Sequence, residues 1–426
     1  MRGNTKFFTR LQIQGASGTK SEIFYSCSSN YECVMTRKEL QAIAVASIIL
    51  SYCFVTPSMH YVKGKEEVKE VCLLYKSKMV FMNHGNKSWT LSQYDRSYSI
   101  FLNNSWQSAY LLDSNWPFEK SVDIDGNPII ILDTPPIPPG GNITIVIEIK
   151  IVERAREAPD INFTMSGKLG DIPPELKQEF CDSSGTWQVN NDTLRNLSYQ
   201  IWQSIENTTN VLKIVSTLAD WIGNNITYMS HDTALYPTET FDSREGDCDD
   251  QANLLITMCR ILGIPSFLQV GCLQYLAFPE NETHWNGHLI TYLRLIGFHA
   301  WAMVYIPPWG WLPFDMTWGR IPLDPLSGIK SAAVYSLYTA QMMNITKSDW
   351  VGEGRVIREI IVNSPIYIYD EEELILCPPF SFQEESWENV QLWIAIIISF
   401  AVITILIMVF KPLYRKKLES FLHSPE

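Results

Sequence analysis

The run Leu392–Phe410, LWIAIIISFAVITILIMVF, holds nineteen residues and no charge. No polar face interrupts it, so it does not suit a surface helix, and its length fits a bilayer crossing. KPLYRKK follows at once, and such a basic flank marks the cytoplasmic side. The expectation is a transmembrane helix at 392–410 and a basic cytoplasmic tail at 411–426. A second apolar segment at 39–57 contains LQAIAVASIILSYCFVTP and follows TRK. It is shorter and less apolar, and reads as either a cleaved signal peptide or a signal anchor. Residues 1–38 form an N-terminal tail, or codons upstream of a true start at Met35. On either reading the middle of the chain lies outside the cell.

Charge and sequons agree with that layout. The chain of 426 residues carries a net charge of −13, which excludes nucleic acid as a partner class. Both ends are basic, and residues 39–410 carry about −19. Ten N-x-S/T sequons, at Asn86, Asn103, Asn142, Asn162, Asn191, Asn196, Asn207, Asn225, Asn281 and Asn344, all lie between the two apolar segments. The expectation is a glycosylated part facing outward. Six of the nine cysteines (Cys72, Cys181, Cys248, Cys259, Cys272 and Cys377) fall in this part, where disulfides form, although the pairing is not legible in sequence.

Texture divides the outside part. Residues 60–165 alternate β-branched and aromatic residues with turn signals such as NHGN, DIDGN and PPIPPGGN, which predicts a β-sandwich. It serves a ligand module and a passive spacer equally well. Residues 166–370 mix helical periodicity, as in Leu212, Val215, Leu218, Trp221 and Ile222, with strands, which predicts an α+β core. Residues 371–391 read as an acidic stalk, and the charge run at 370–373 as solvated.

The chemistry concentrates in REGDCDDQANLLITMCRILGIPSF, residues 244–267. Asp247 caps a helix, with Asp250 as its capping-box partner. Leu254, Leu255, Met258, Ile261 and Leu262 make the apolar stripe, and GIP ends it. Cys248 therefore sits in the first turn, where the helix dipole favours a thiolate and neighbouring aspartates oppose one. A histidine that accepts the proton resolves this conflict. His299 stands in GFHAWAMVYIPPWGWLPFDMTWG, a strand, a Pro/Gly turn and a return strand that brings Asp315 across the ladder. A carboxylate there orients the imidazole. Cys259 reads as a small buried core residue. HWNGH, with His284 and His288 and Cys272 nearby, has zinc-like spacing but loop composition. Asp247, Asp249 and Asp250 suit calcium less well than helix capping. No metal and no cofactor is expected.

These motifs resemble the transglutaminase-like superfamily in its membrane-anchored archaeal and bacterial surface form. Gly246 and Cys248, Arg260 with Gly263, Ile264 and Pro265, His299 with Ala300 and Trp301, and Trp311 with Asp315 and Thr317 carry the resemblance, which spans about residues 200–320. It implies a papain-like fold with Cys248 as nucleophile, His299 as base and Asp315 as orienter. It further implies attack on an amide carbonyl and a thioester resolved by water or an amine, making the chain a peptidase, an amidase or an acyl transferase. The Cys248 N–H is the first oxyanion donor. A tryptophan often supplies the second in this superfamily, and Trp221 is the candidate, although its place in the apolar stripe also suits core packing. The expected partners are a protein or peptide substrate outside the cell and the membrane. The competing expectation is a non-catalytic surface module that keeps the fold for binding.

Overall fold

A computed structural model describes residues 11–14, 20–23, 69–275, 279–318 and 325–377. The chain divides into a unit at residues 1–67 and another at 68–426. In the first unit, Leu11–Gln14 and Lys20–Ile23 pair as a short antiparallel hairpin. All further description concerns the second unit. The apolar segments at 39–57 and 392–410 lie outside the described residues. Among the described residues no helix is long and apolar enough to cross a membrane.

The second unit opens with strand β1 (Glu70–Asn83), followed by β2 (Gln107–Ser114) and β3 (Asn142–Arg154). In β3 every second residue from Ile143 to Ile151 is buried, which is the period a pleated strand imposes when one face meets a core. The α+β core follows. Helices α1 (Asp192–Ser204) and α2 (Val211–Asn225) start at Asn191 and Asn210, whose side chains accept the N–H of Leu194 at 3.1 Å and of Lys213 at 2.8 Å. Helix α3 (Cys248–Ile261) is next, then β4 (Ser266–Gln274), β5 (Leu289–Arg294), β6 (Ile296–Ile306), β7 (Gly310–Phe314), β8 (Thr339–Ile345), α4 (Trp350–Val362) and β9 (Ile366–Leu376).

Two larger sheets organise these elements. One has the order β7-β6-β4-β8, and α3 packs on it, with residues 252, 254–256, 258 and 259 at 4% exposure or less. The other has six strands in the order Glu280–His284, β5, β9, β1, β3, β2. Half of its strands come from residues 280–376, so it joins distant parts of the chain. A three-stranded sheet (Ser97–Ser99, Pro128–Leu132, Phe118–Val122) contributes Ile130 and Leu132 to the same apolar cluster as β1, β3 and β9. A disulfide, Cys72–Cys377, fastens β1 to the end of β9 across 305 residues of sequence. Beside it the Cys377 N–H donates to the Cys72 carbonyl at 2.9 Å.

The acidic run at 370–373 is not solvated stalk. It lies inside β9, hydrogen-bonded between β5 and β1. Alternation separates Glu371 and Glu373, which pair with Lys78 and Arg294, from Glu372, which faces inward at 4% exposure. The remainder of the expected stalk, residues 378–391, lies outside the described residues.

The end of α3 shows how local chemistry sets up the sheet. Gly263 takes φ +72°, the left-handed conformation that closes a helix. Arg260 is buried on the last turn, where its guanidinium lies 3.8 Å from the centroid of the Trp187 ring. It donates to the carbonyls of Ser266 at 2.9 Å and of Thr346 and Asp182 at 3.3 Å. One side chain thus ties the helix end to the strand that follows and to the segment after β8.

Glu153, on β3, is buried at 3% exposure, and its Oε1 has no hydrogen-bond partner. Burial pushes its carboxyl up to about 8, against the weaker pull of Arg156 and Arg154. A carboxyl raised in this way contributes stability that is complete below its unfolded value of about 4.3 and is lost as pH rises through the folded value. Thermal melts between pH 5 and 9 should therefore show falling stability, with a smaller fall in Glu153→Gln. Parallel curves for the two proteins would contradict this assignment.

Candidate active site

Asp247 precedes α3, and Cys248 is its first residue. The expected Asp250 contact is present, since the Asp250 carboxylate accepts the Asp247 N–H at 3.2 Å. The same carboxylate accepts the Leu235 N–H at 2.6 Å, and Asp249 accepts the Trp350 indole N–H at 2.6 Å. Asp249 and Asp250 therefore tie the helix start to α4 and to the loop before Pro237, while Cys248 turns toward β6. The main-chain N–H groups of Ala300 and Asp249 favour its thiolate.

Ala300 adjoins His299, and the ladder explains why its edge is available. Strand β7 pairs with β6 only from Ala302↔Phe314 to Ile306↔Gly310. Beyond Ala302 that side of β6 is open, and the start of α3 occupies it. His299 pairs with Gly271 on β4. A Cβ at Gly271 would collide with the Ala340 carbonyl oxygen and come within 3.0 Å of the Trp301 ring, so only glycine fits opposite the histidine.

Asp315 follows β7 directly. His299 Nε2 lies 3.0 Å from both of its carboxylate oxygens, and both residues are buried. An ionised carboxylate only accepts, so Nε2 carries the proton of this contact. In neutral imidazole Nδ1 is then left as the acceptor, as a base toward a thiol requires. Asp315 is itself fixed by main-chain donors: Trp318 N–H at 3.1 Å and Thr317 N–H at 3.4 Å to Oδ1, and Ala333 N–H at 3.1 Å to Oδ2. The rings of Trp301 and Trp318 flank His299 at 5.8 and 6.0 Å. Trp301 is held in turn by Gln269 at 3.1 Å, and Gln269 by Asn344 at 2.7 Å.

The electrostatics of the thiol run against a resting thiolate. Burial, then Asp249, then Asp247 push the Cys248 thiol up, and the main-chain donors from Ala300 and Asp249 only partly oppose them. The acidic cluster is less charged than its formula. Burial, with contributions from Asp249, raises Asp247 to about 9 and Asp250 to about 7. Ionisation of Cys248 therefore requires a base to take the proton.

The remaining candidates have other engagements. Trp221 stacks on Phe241 at 6.1 Å, with the Arg244 guanidinium 5.1 Å from its ring. His284 contacts Glu282 at 3.1 Å and Asp232 at 3.4 Å, His288 contacts the Ile366 carbonyl at 2.7 Å, and Cys272 is fully buried. They are not gathered as a zinc set. Among the described residues one group of three has metal-ligand spacing, Asp247, Cys248 and Asp249, with ligand atoms within 4.8 Å. The Trp350 contact had no signal in the sequence, because it joins residues 101 apart along the chain.

A helix-start cysteine beside a strand whose histidine is paired with a buried aspartate has the composition of a Cys–His–Asp site. Residues 197–316 match the family model described as the transglutaminase-like superfamily. No curated protein matches the chain. Similar solved structures include a "putative cysteine protease" from Cytophaga hutchinsonii, 18% identical over 74% of this chain and 96% of that one, with a TM-score of 0.44. Another is a "putative protease" from Parabacteroides distasonis, 12% identical over 65% of this chain and 68% of that one, with a TM-score of 0.23. At these values neither bears on the chemistry.

Accessibility separates the four free cysteines among the described residues. Cys259 and Cys272 are fully buried, Cys181 is half-buried with its thiol pushed up to about 11 by burial, and Cys248 is half-buried. Native iodoacetamide treatment at neutral pH, read by peptide mass spectrometry, should label Cys248 first and Cys259 and Cys272 only after unfolding. Faster labelling of Cys181 than of Cys248 would contradict the activation of Cys248 by His299.

Proposed function

We propose that the chain is a membrane-anchored, extracytoplasmic cysteine enzyme that acts on amide bonds through a thioester. The reading rests on one observation above the rest: His299, paired with the buried Asp315, is on β6 beside Ala300, whose main chain favours the thiolate of Cys248. In this mechanism Nδ1 of His299 takes the thiol proton as the Cys248 sulfur adds to the amide carbonyl. The carbonyl electrons move to oxygen, and the Cys248 N–H, which has no acceptor within the helix, binds the oxyanion. Collapse breaks the C–N bond, and the imidazolium returns the proton to the leaving nitrogen. Water or an amine then attacks the thioester, with His299 as base, and releases Cys248. Asp315 stabilises the imidazolium that exists between these steps.

The rival reading, a binding module that retains the fold, draws support from the thiol that its surroundings hold neutral. Turnover separates the two. Cys248→Ala and His299→Ala should abolish amide cleavage or transfer, whatever substrate a peptide screen supplies. Asp315→Asn should lose about 10- to 100-fold in rate. It should also be less stable by roughly 1–3 kcal/mol, because its NH2 group faces a main-chain donor that the carboxylate now satisfies. Full activity in His299→Ala would remove the mechanism, and full activity in Asp315→Asn would remove the orienter.

Placement outside the cell, with the segmentation drawn from sequence, belongs to the same proposal. The Cys72–Cys377 disulfide supports an oxidising compartment. Seven sequon asparagines, Asn86, Asn103, Asn142, Asn196, Asn207, Asn225 and Asn281, are exposed, as glycan acceptors must be. Protease applied to intact cells should remove residues 58–391, and protection of that region would overturn the topology.

A further inference from the structure

Asp315 orients His299, and the Ala333 N–H is one of the donors that fix Asp315. Ala333 opens the short 3-10 turn Ala333–Tyr335, and residues 332–334 are buried. The next carbonyl along this turn, that of Val334, is gripped from far away in sequence. Arg156 donates to it from Nε at 2.9 Å and from Nη2 at 2.7 Å. The guanidinium carbon also lies 5.2 Å from the centroid of the Tyr335 ring.

Arg156 stands two residues beyond the end of β3, and its backbone approach is fixed. The Arg154 N–H donates to the Trp106 carbonyl and the Ala155 N–H to the Lys69 carbonyl, each at 2.8 Å. A planar fork that holds one carbonyl oxygen with two N–H groups is stiffer than a single donor. The guanidinium also lies in a half-buried position, where a cation without such a contact would be costly.

We infer that Arg156 is a positioning residue for the proposed active site, acting through the Ala333–Tyr335 turn on Asp315 and thereby on His299. The inference rests on the cysteine-enzyme reading above. It gives the β-rich region a role in the chemistry, because a side chain just after β3 sets the position of a donor to the orienting carboxylate. Without the clamp the Ala333 N–H and Asp315 lose their fixed relation, imidazolium at His299 is less well stabilised, and Cys248 gives up its proton at higher pH. The ionisable groups around the thiol and imidazole are Asp247, Asp249, Asp250 and Asp315; those around Arg156 are Glu153 and Tyr335.

The test is the pH dependence of Cys248 alkylation by iodoacetamide in the full-length protein, followed by peptide mass spectrometry alongside thermal melts. Arg156→Ala should slow alkylation about tenfold at neutral pH and move its midpoint upward by about one pH unit. Arg156→Lys, which restores the charge and one donor, should recover part of both. If Arg156→Ala does not fold, Arg156→Gln, with a neutral single donor, should lie between Arg156→Lys and His299→Ala. A folded Arg156→Ala with an unchanged midpoint would overturn the inference even if its melting temperature fell, since a purely structural clamp moves only the latter. His299→Ala separates the two levels of the account. If it shifts the midpoint while Arg156→Ala does not, only the positioning role falls. If it shifts nothing, the cysteine-enzyme reading falls and the positioning role with it.

Discussion

The contact between His299 and Asp315 is the constraint that gives the rest of the site its form. A carboxylate in a buried position must be satisfied, and here an imidazole N–H and three main-chain N–H groups do so. Those donors come from the residues just after Asp315 and from the turn at Ala333, so several segments converge on one side chain. Because Nε2 is spent on the carboxylate, Nδ1 is the nitrogen left for a thiol. The open edge of β6 beyond Ala302 then admits the start of α3 and places Cys248 against the main chain of Ala300.

The acidic residues around Cys248 divide their work. Asp249 and Asp250 are anchors, one to the Trp350 indole and the other to the Leu235 N–H and the helix start. Burial raises the Asp247 and Asp250 carboxyls, so the field at the sulfur is weaker than three formal charges imply. It still favours the thiol over the thiolate. Such a site holds its nucleophile neutral until the histidine takes the proton, which differs from a cysteine activated by a helix start alone.

The parts of this arrangement that were legible in sequence are local ones. The helix cap and the GIP stop around α3 follow from short-range chemistry, and a hairpin with a Pro/Gly turn brings His299 and Asp315 together across two neighbouring strands. Periodicity could not reach contacts between distant segments. Arg156 and Val334 are 178 residues apart, and Asp249 and Trp350 are 101 apart. The acidic run at 370–373 misled because four successive acids conceal the inward and outward alternation of a strand, and the pairing of β9 with β1 has no local signature. The disulfide between Cys72 and Cys377 depends on that same pairing. Trp221 has two readings in sequence, oxyanion donor and core packing; it stacks on Phe241 with Arg244 at its ring.

The account turns on which nitrogen of His299 bears the proton, and 15N NMR of the imidazole in the full-length protein reports it directly. A protonated Nε2 should persist in the neutral ring, with Nδ1 as the nitrogen that gains a proton as pH falls, and Asp315→Ala should abolish this preference. A neutral ring protonated at Nδ1, or one that exchanges freely between tautomers in the unaltered protein, would contradict the central claim that Asp315 prepares His299 to receive the proton of Cys248.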